Sequence, residues 1–242
     1  MLCAAENNLR LYCIPSGNNN KEEIMDKKNI GFTTRELVIA GLLSAILFIM
    51  QYTPLGYLNI GPLAATLNVI PVAVAAVAIG PVGGAVVGGM FGLTSFLQCQ
   101  GGSALGTALF TINPLLTVVQ CFVPRILDGF LTGLVANEIK KRSSGIGGMS
   151  AASFVSGFLA AFLNTLFYMT SLMILFGNTE LIQGYWNKFA PGKNVVLFVI
   201  AFVGINAVSE MIVSTVLTGA VGTALSGARL ITPGVKKADA NS

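Results

Sequence analysis

Apolar residues fill this chain in long blocks instead of marking one face of otherwise polar segments. Six blocks stand out, at residues 34–52, 63–79, 81–97, 113–139, 149–176 and 194–226. A helix needs about 20 apolar residues to cross the hydrocarbon core of a bilayer, whereas a soluble helix shows only a stripe of them. The pattern predicts an all-α integral membrane bundle of six helices, one domain over residues 32–230, with no internal repeat. Gly80 and Pro81 join the second and third blocks with almost no loop. A glycine ends one helix and a proline opens the next. The last three blocks are long, so their helices tilt or protrude.

Lysine and arginine then set the orientation. With the N-terminus inside, the cytoplasmic parts hold Lys27, Lys28, Arg35, Lys140, Lys141, Arg142, Arg229, Lys236 and Lys237, and the outer loops hold Lys188 and Lys193. Such residues concentrate on the cytoplasmic side of membrane proteins, so both termini are expected in the cytoplasm. The outer connections become 53–62, 98–112 and 177–193. The second carries Gly101, Gly102, Ser103 and Gly106 and is free to bend. The third carries Tyr185, Trp186 and Phe189, which suit a membrane interface or a lid. Residues 1–31 are polar, without the apolar core of a signal peptide, and are expected to form a disordered cytoplasmic extension; Met25 is as good a start as Met1. Residues 231–242 read as a cytoplasmic tail. Composition agrees, with 54% hydrophobic and 10% charged residues against about 25% charged in soluble domains. The net charge of +4 is unevenly placed and reads as topology, not as nucleic-acid binding.

Little points to catalysis. The chain has no histidine, which removes the usual base or ligand of intramembrane hydrolases and His-ligated metal enzymes. Cys3, Cys13, Cys99 and Cys121 form no Cys-x-x-Cys pair, so neither a metal site nor a redox pair is expected. Cys99 and Cys121 read as small apolar residues. The run from Gly80 to Gly84 is glycine-rich but lacks the lysine of a phosphate loop. If ATP drives this protein, another chain supplies it. No cofactor is expected.

Gly80, Gly84, Gly88 and Gly92 fall on one helix face and predict close packing against a neighbour. Ala40/Ser44 and Gly41/Ala45 make two overlapping small-residue pairs on the first helix. Ionisable groups within a membrane are rare and costly unless paired or facing a polar cavity; here they are Arg125, Asp128 and Glu210. Asn113, Gln120, Asn164 and Asn206 are further buried polar candidates. Arg125, Asn164 and Asn206 each lie twelve residues from the outer end of their blocks, about 18 Å down at the helical rise. Three polar side chains from three helices thus share one level, as a pocket opening outward requires. Two roles are open to Arg125: neutralising Asp128 three residues on, or holding a ligand carboxylate with its planar fork. Glu210, on the face of Asn206, has three: ligand hydroxyls, Arg125, or a partner subunit.

Several stretches resemble the substrate-binding S-components of energy-coupling factor transporters, most like the pantothenate type. They are Pro54-Leu-Gly through Asn59, Ile70-Pro71, Ile79-Gly80-Pro81, Gly84 to Ser95, Pro124-Arg125 with Gly129 and Gly133, Asn164-Thr165, and Asn206 with Glu210. The resemblance covers residues 32–230. It implies a six-helix vitamin-binding protein that works with a transmembrane coupling subunit and two ATPases. Arg125, Asn164, Asn206, Glu210, Asn59 and Asn68 are then expected to line the substrate site. Ala40, Gly41, Ser44 and Ala45 are expected to dock the coupling subunit. The alternatives are a member of the same family carrying another vitamin, of the riboflavin or folate type, and a solitary ion-coupled transporter using Glu210 or Asp128.

The topology is testable by labelling single cysteines in intact cells with an impermeant reagent. Cysteines at Ser103 and Thr179 should react and one at Ser143 should not; labelling at Ser143 refutes the assignment.

Overall fold

The computed structural model describes residues 32–53, 57–60, 63–142, 146–189 and 195–228. The 1–31 extension and the 231–242 tail expected from the sequence lie outside the described residues. The elements are α1 (Thr34–Tyr52), β1 (Tyr57–Ile60), β2 (Leu63–Thr66), α2 (Val69–Ala78), α3 (Pro81–Gln98), α4 (Ala104–Ile112), α5 (Pro114–Arg142), α6 (Ile146–Phe176), α7 (Glu180–Phe189) and α8 (Val195–Gly227). Thr33 starts α1 with a capping box: its hydroxyl accepts the Glu36 amide, and the Glu36 carboxylate accepts the Thr33 amide at 2.9 Å. That satisfies two of the orphan donors of a helix start.

The architecture departs from six plain helices in three places. The second apolar block is divided. Its first residues form β2, antiparallel to β1 with Asn59 opposite Ala64, and only ten residues remain as α2. Asn68, a residue type favoured at helix starts, stands at the N-cap of α2 and marks where the helix begins. The two outer connections read as loops each hold a short helix, α4 and α7. Leu109 and Ile182 bury themselves with Leu172 and Phe176 of α6, so these segments pack on the C-terminal end of α6 instead of looping freely.

At ten residues α2 is about 15 Å long, half the roughly 30 Å hydrocarbon thickness. It has no lipid face, since every residue from Val69 to Val77 is buried. It packs on α1, α3, α5, α6 and α8, which make a ring around it in that order. Lys140 of α5 reaches across and donates from Nζ to the Val77 carbonyl at 2.8 Å. A cation there satisfies an orphan carbonyl and opposes the negative end of the helix dipole. Between α1 and α8 the ring leaves a groove of about 410 Å³, lined by Val38, Leu42, Val74, Ala78 and Leu225 among others.

Thr34–Tyr52, Pro114–Arg142, Gly147–Phe176 and Ala207–Gly227 are each long and apolar enough to cross a membrane. Exposure is inverted relative to a soluble protein. Leu37, Leu115, Phe158, Ile174 and Ile212 are exposed, whereas Gln120, Arg125, Asp128, Asn164 and Glu210 are buried. Water would penalise so much contiguous apolar surface; lipid does not. This is a multi-pass membrane protein.

The glycine face of α3 packs internally, against α5. A Cβ on Gly84 would overlap the Gly129 carbonyl, and one on Gly129 would overlap that of Gly84. A Cβ on Gly88 would strike the Arg125 carbonyl, and one on Gly92 would lie 2.9 Å from that of Cys121. Backbone thus meets backbone along the stretch of α5 that carries Arg125. Gly84→Val or Gly129→Val should therefore lower the thermal stability of the detergent-purified chain, by about 1–3 kcal/mol or more as overpacking costs. Gly41→Ala, at a position with nothing within 4 Å, should leave it unchanged or raised. Equal losses at the two kinds of position would contradict this packing.

Candidate functional site

A proline inside α5 prepares the site. Pro124 has no amide hydrogen, so the Gln120 carbonyl four residues earlier loses its helical partner. The next side chain supplies one: Arg125 Nη1 donates to the Gln120 carbonyl at 3.1 Å and to the Cys121 carbonyl at 3.3 Å. The guanidinium carbon also lies 4.9 Å from the ring centroids of both Phe91 on α3 and Tyr168 on α6. Each such contact contributes about 0.5–2 kcal/mol, more when desolvated. Arg125 is 8% exposed, and its Nε has no hydrogen-bond partner.

Polar atoms without partners gather around it. Gln120 donates from Nε2 to the Tyr168 carbonyl at 2.9 Å, but its Oε1 is buried and unpaired. Asn164, one helical turn from Tyr168 on the same face, is buried with its Oδ1 unpaired. Asp128 is fully buried. Its Oδ1 accepts from Thr132 at 3.3 Å and its Oδ2 has no partner. The charges of Glu210 and Arg125 both reach it. Among the described residues the ion pairs are those of Glu138 with Lys141 and Arg142, so the Arg125–Asp128 pair allowed by the sequence is not formed. Native structures leave few buried polar atoms unpaired, and each calls for a reason. An open guanidinium edge, with unpaired amide oxygens on Gln120 and Asn164, suits an anion that also carries hydroxyl or N–H donors.

Of the six residues expected at the substrate site, Arg125 lies over Tyr168, one helical turn from Asn164 on α6, and Asn164 and Glu210 are buried. Asn68 takes part in a knot joining α1, α2 and α3. Its Nδ2 donates to Gln51 Oε1, and Gln98 Nε2 donates to the Gln51 carbonyl at 2.9 Å. The side chains of Asn59 and Asn206 lie outside the described residues. The sequence reading missed Phe91, Tyr168 and the role of Pro124. The signals were present: an aromatic within the glycine run, a tyrosine four residues after Asn164, and a proline directly before a membrane arginine. Cys99 and Cys121 are buried with their sulfurs 3.8 Å apart, tying the end of α3 to α5.

On α1 the two small-residue pairs separate. Ala40 is buried with Leu43, Leu47 and Gln51. Ser44 is half-buried and donates to the Ala40 carbonyl at 2.7 Å. Gly41 and Ala45 are exposed.

A substrate-specific component of an ECF transporter is the class this bundle defines. The model of that family matches residues 35–222, and the chain belongs to it. Among curated proteins it is similar to the pantothenate transporter PanT of Leuconostoc mesenteroides subsp. mesenteroides, at 29% identity over 199 residues, 79% of this chain and 92% of that one. Among solved structures it is similar to ThiT from Listeria monocytogenes, with a TM-score of 0.56 and 15% identity over 82% of this chain and 97% of that one. The latter likeness speaks to the fold alone.

Proposed function

We propose that this chain is the substrate-binding subunit of an ATP-driven vitamin importer in the cell membrane, and that its substrate is pantothenate. The observation that carries this is the state of Arg125. Its guanidinium is held by two carbonyls at Nη1 and by two rings, yet its buried Nε has no protein partner. A carboxylate is the group a guanidinium edge fits bidentately. Pantothenate adds hydroxyl and amide N–H donors for the orphaned oxygens of Gln120 and Asn164. Similarity to a pantothenate transporter supports the same choice. Glu210 is proposed to join the site from α8, and Asn206, Asn59 and Asn68 are proposed as further substrate contacts.

In this reading the chain crosses the membrane six times, α2 and the hairpin making one crossing, with both termini in the cytoplasm. A transmembrane coupling subunit and two ATPases supply the driving force. The coupling subunit docks on α1, where exposed Gly41 and Ala45 lie beside the groove between α1 and α8.

Losing one partner of a buried, hydrogen-bonded charge pair costs about 2–5 kcal/mol, roughly 30- to 5000-fold in affinity. Arg125→Ala should weaken pantothenate binding by that range in calorimetry on the purified chain. Arg125→Lys should restore only part, because the charge returns without the fork. Normal binding by Arg125→Ala would sink the assignment.

Docking has a separate test. Ala45→Trp should abolish uptake and co-purification with the ATPases while pantothenate binding survives. Ala40→Trp, at a buried position, should instead destabilise the fold. Full uptake by Ala45→Trp would place the docking surface elsewhere.

A further inference from the structure

We infer that Pro124 is a positioning residue for the substrate carboxylate. It holds the Arg125 guanidinium in its binding pose by withholding an amide hydrogen from the Gln120 carbonyl. This rests on the reading of Arg125 as the carboxylate partner. In an unbroken helix the residue at 124 would donate its N–H to that carbonyl. Proline cannot, so the carbonyl is left as an acceptor within the membrane, where water is absent and an orphan is costly. Arg125 Nη1 takes it at 3.1 Å. Nη1 is thereby fixed at the backbone, and the unpartnered Nε side remains for a ligand. Pro124 is itself buried. It does its work through the carbonyl and needs no contact with the substrate.

The consequence separates affinity from stability. Pro124→Ala restores the helical N–H, which competes with Nη1 for the Gln120 carbonyl. Removing a proline from a helix interior also removes its clash and its missing hydrogen bond, so the fold should be as stable as before or more so. A hydrogen bond to a charged group contributes about 1.5–3 kcal/mol, so its loss should weaken pantothenate binding by about ten- to a hundredfold.

Calorimetric titration of the full chain in nanodiscs tests this, using wild type, Pro124→Ala, Pro124→Gly and Arg125→Ala. The probes are pantothenate and its alcohol analogue, in which a hydroxymethyl group replaces the carboxylate. Both Pro124 variants should lose affinity for pantothenate, keep their weak affinity for the alcohol, and show an undiminished unfolding temperature with Ala. If Arg125→Ala loses pantothenate but the Pro124 variants bind it normally, the positioning role is refuted and the carboxylate assignment stands. Equal losses for both probes would also refute it, as general distortion of the pocket. If Arg125→Ala binds normally, the underlying assignment fails first.

Discussion

A guanidinium inside a membrane bundle has to be solvated by the protein, and much of this structure follows from that need. No water is at hand in the hydrocarbon core, and a central charge there costs several kcal/mol even when the bilayer adapts. Arg125 is provided with two carbonyls and two aromatic rings. The carbonyl of Gln120 is available because Pro124 follows four residues later. Phe91 reaches the guanidinium because α3 and α5 touch backbone to backbone through Gly84, Gly88 and Gly129. A methyl group at any of these would push the helices apart and withdraw the ring.

The same arrangement explains the outer layers. Polar side chains are drawn to the interior of α5, α6 and α8, and large apolar ones face outward. The short α2 fills the middle because its nine buried positions, Val69 to Val77, present only apolar residues to every neighbour. Its two ends are handled differently. The hairpin and the Gln51–Asn68–Gln98 knot lie at its N-terminal end, and Lys140 caps the C-terminal one. The hydrophobic core that remains, Leu43, Leu47, Val72 and Val87 among its members, ties α1 to α2 and α3.

What the sequence made legible was what composition and period control. The bounds of α1 and the start of α3 match the apolar blocks, because a capping box and a Gly-Pro pair mark them locally. The glycine spacing on α3 announced a close contact and the structure supplies it. The hairpin was hidden because Leu63–Thr66 is as apolar as the helix after it, and hydropathy does not distinguish a buried strand from a buried helix. Helices α4 and α7 were hidden because their glycine and aromatic content reads as loop, while burial against α6 decides their state. In the candidate site, Arg125 and Asn164 were marked out by the cost of polarity in a membrane, and both are buried. Phe91 and Tyr168 were missed because aromatics carry no such cost and are common there for other reasons. Ala40 and Gly41 are neighbours in sequence that face opposite environments, and only the phase of the helix against its neighbours separates them.

The charges near Arg125 bear on how an anion would be recognised. Asp128, three residues on along α5, and Glu210 on α8 are both buried acids. Selectivity in such a site rests less on net attraction than on which edge of the guanidinium is left open. With Nη1 committed to backbone carbonyls, Nε and its neighbouring Nη2 form the remaining fork. A planar carboxylate matches that fork with two hydrogen bonds, whereas an alcohol fills one position and leaves the other buried and unpaired. Leaving a buried donor unpaired costs about 1–3 kcal/mol, more for charged groups. If Arg125 holds the substrate carboxylate as proposed, discrimination arises from a fixed guanidinium, and its fixation by Pro124, Phe91 and Tyr168 is part of the specificity.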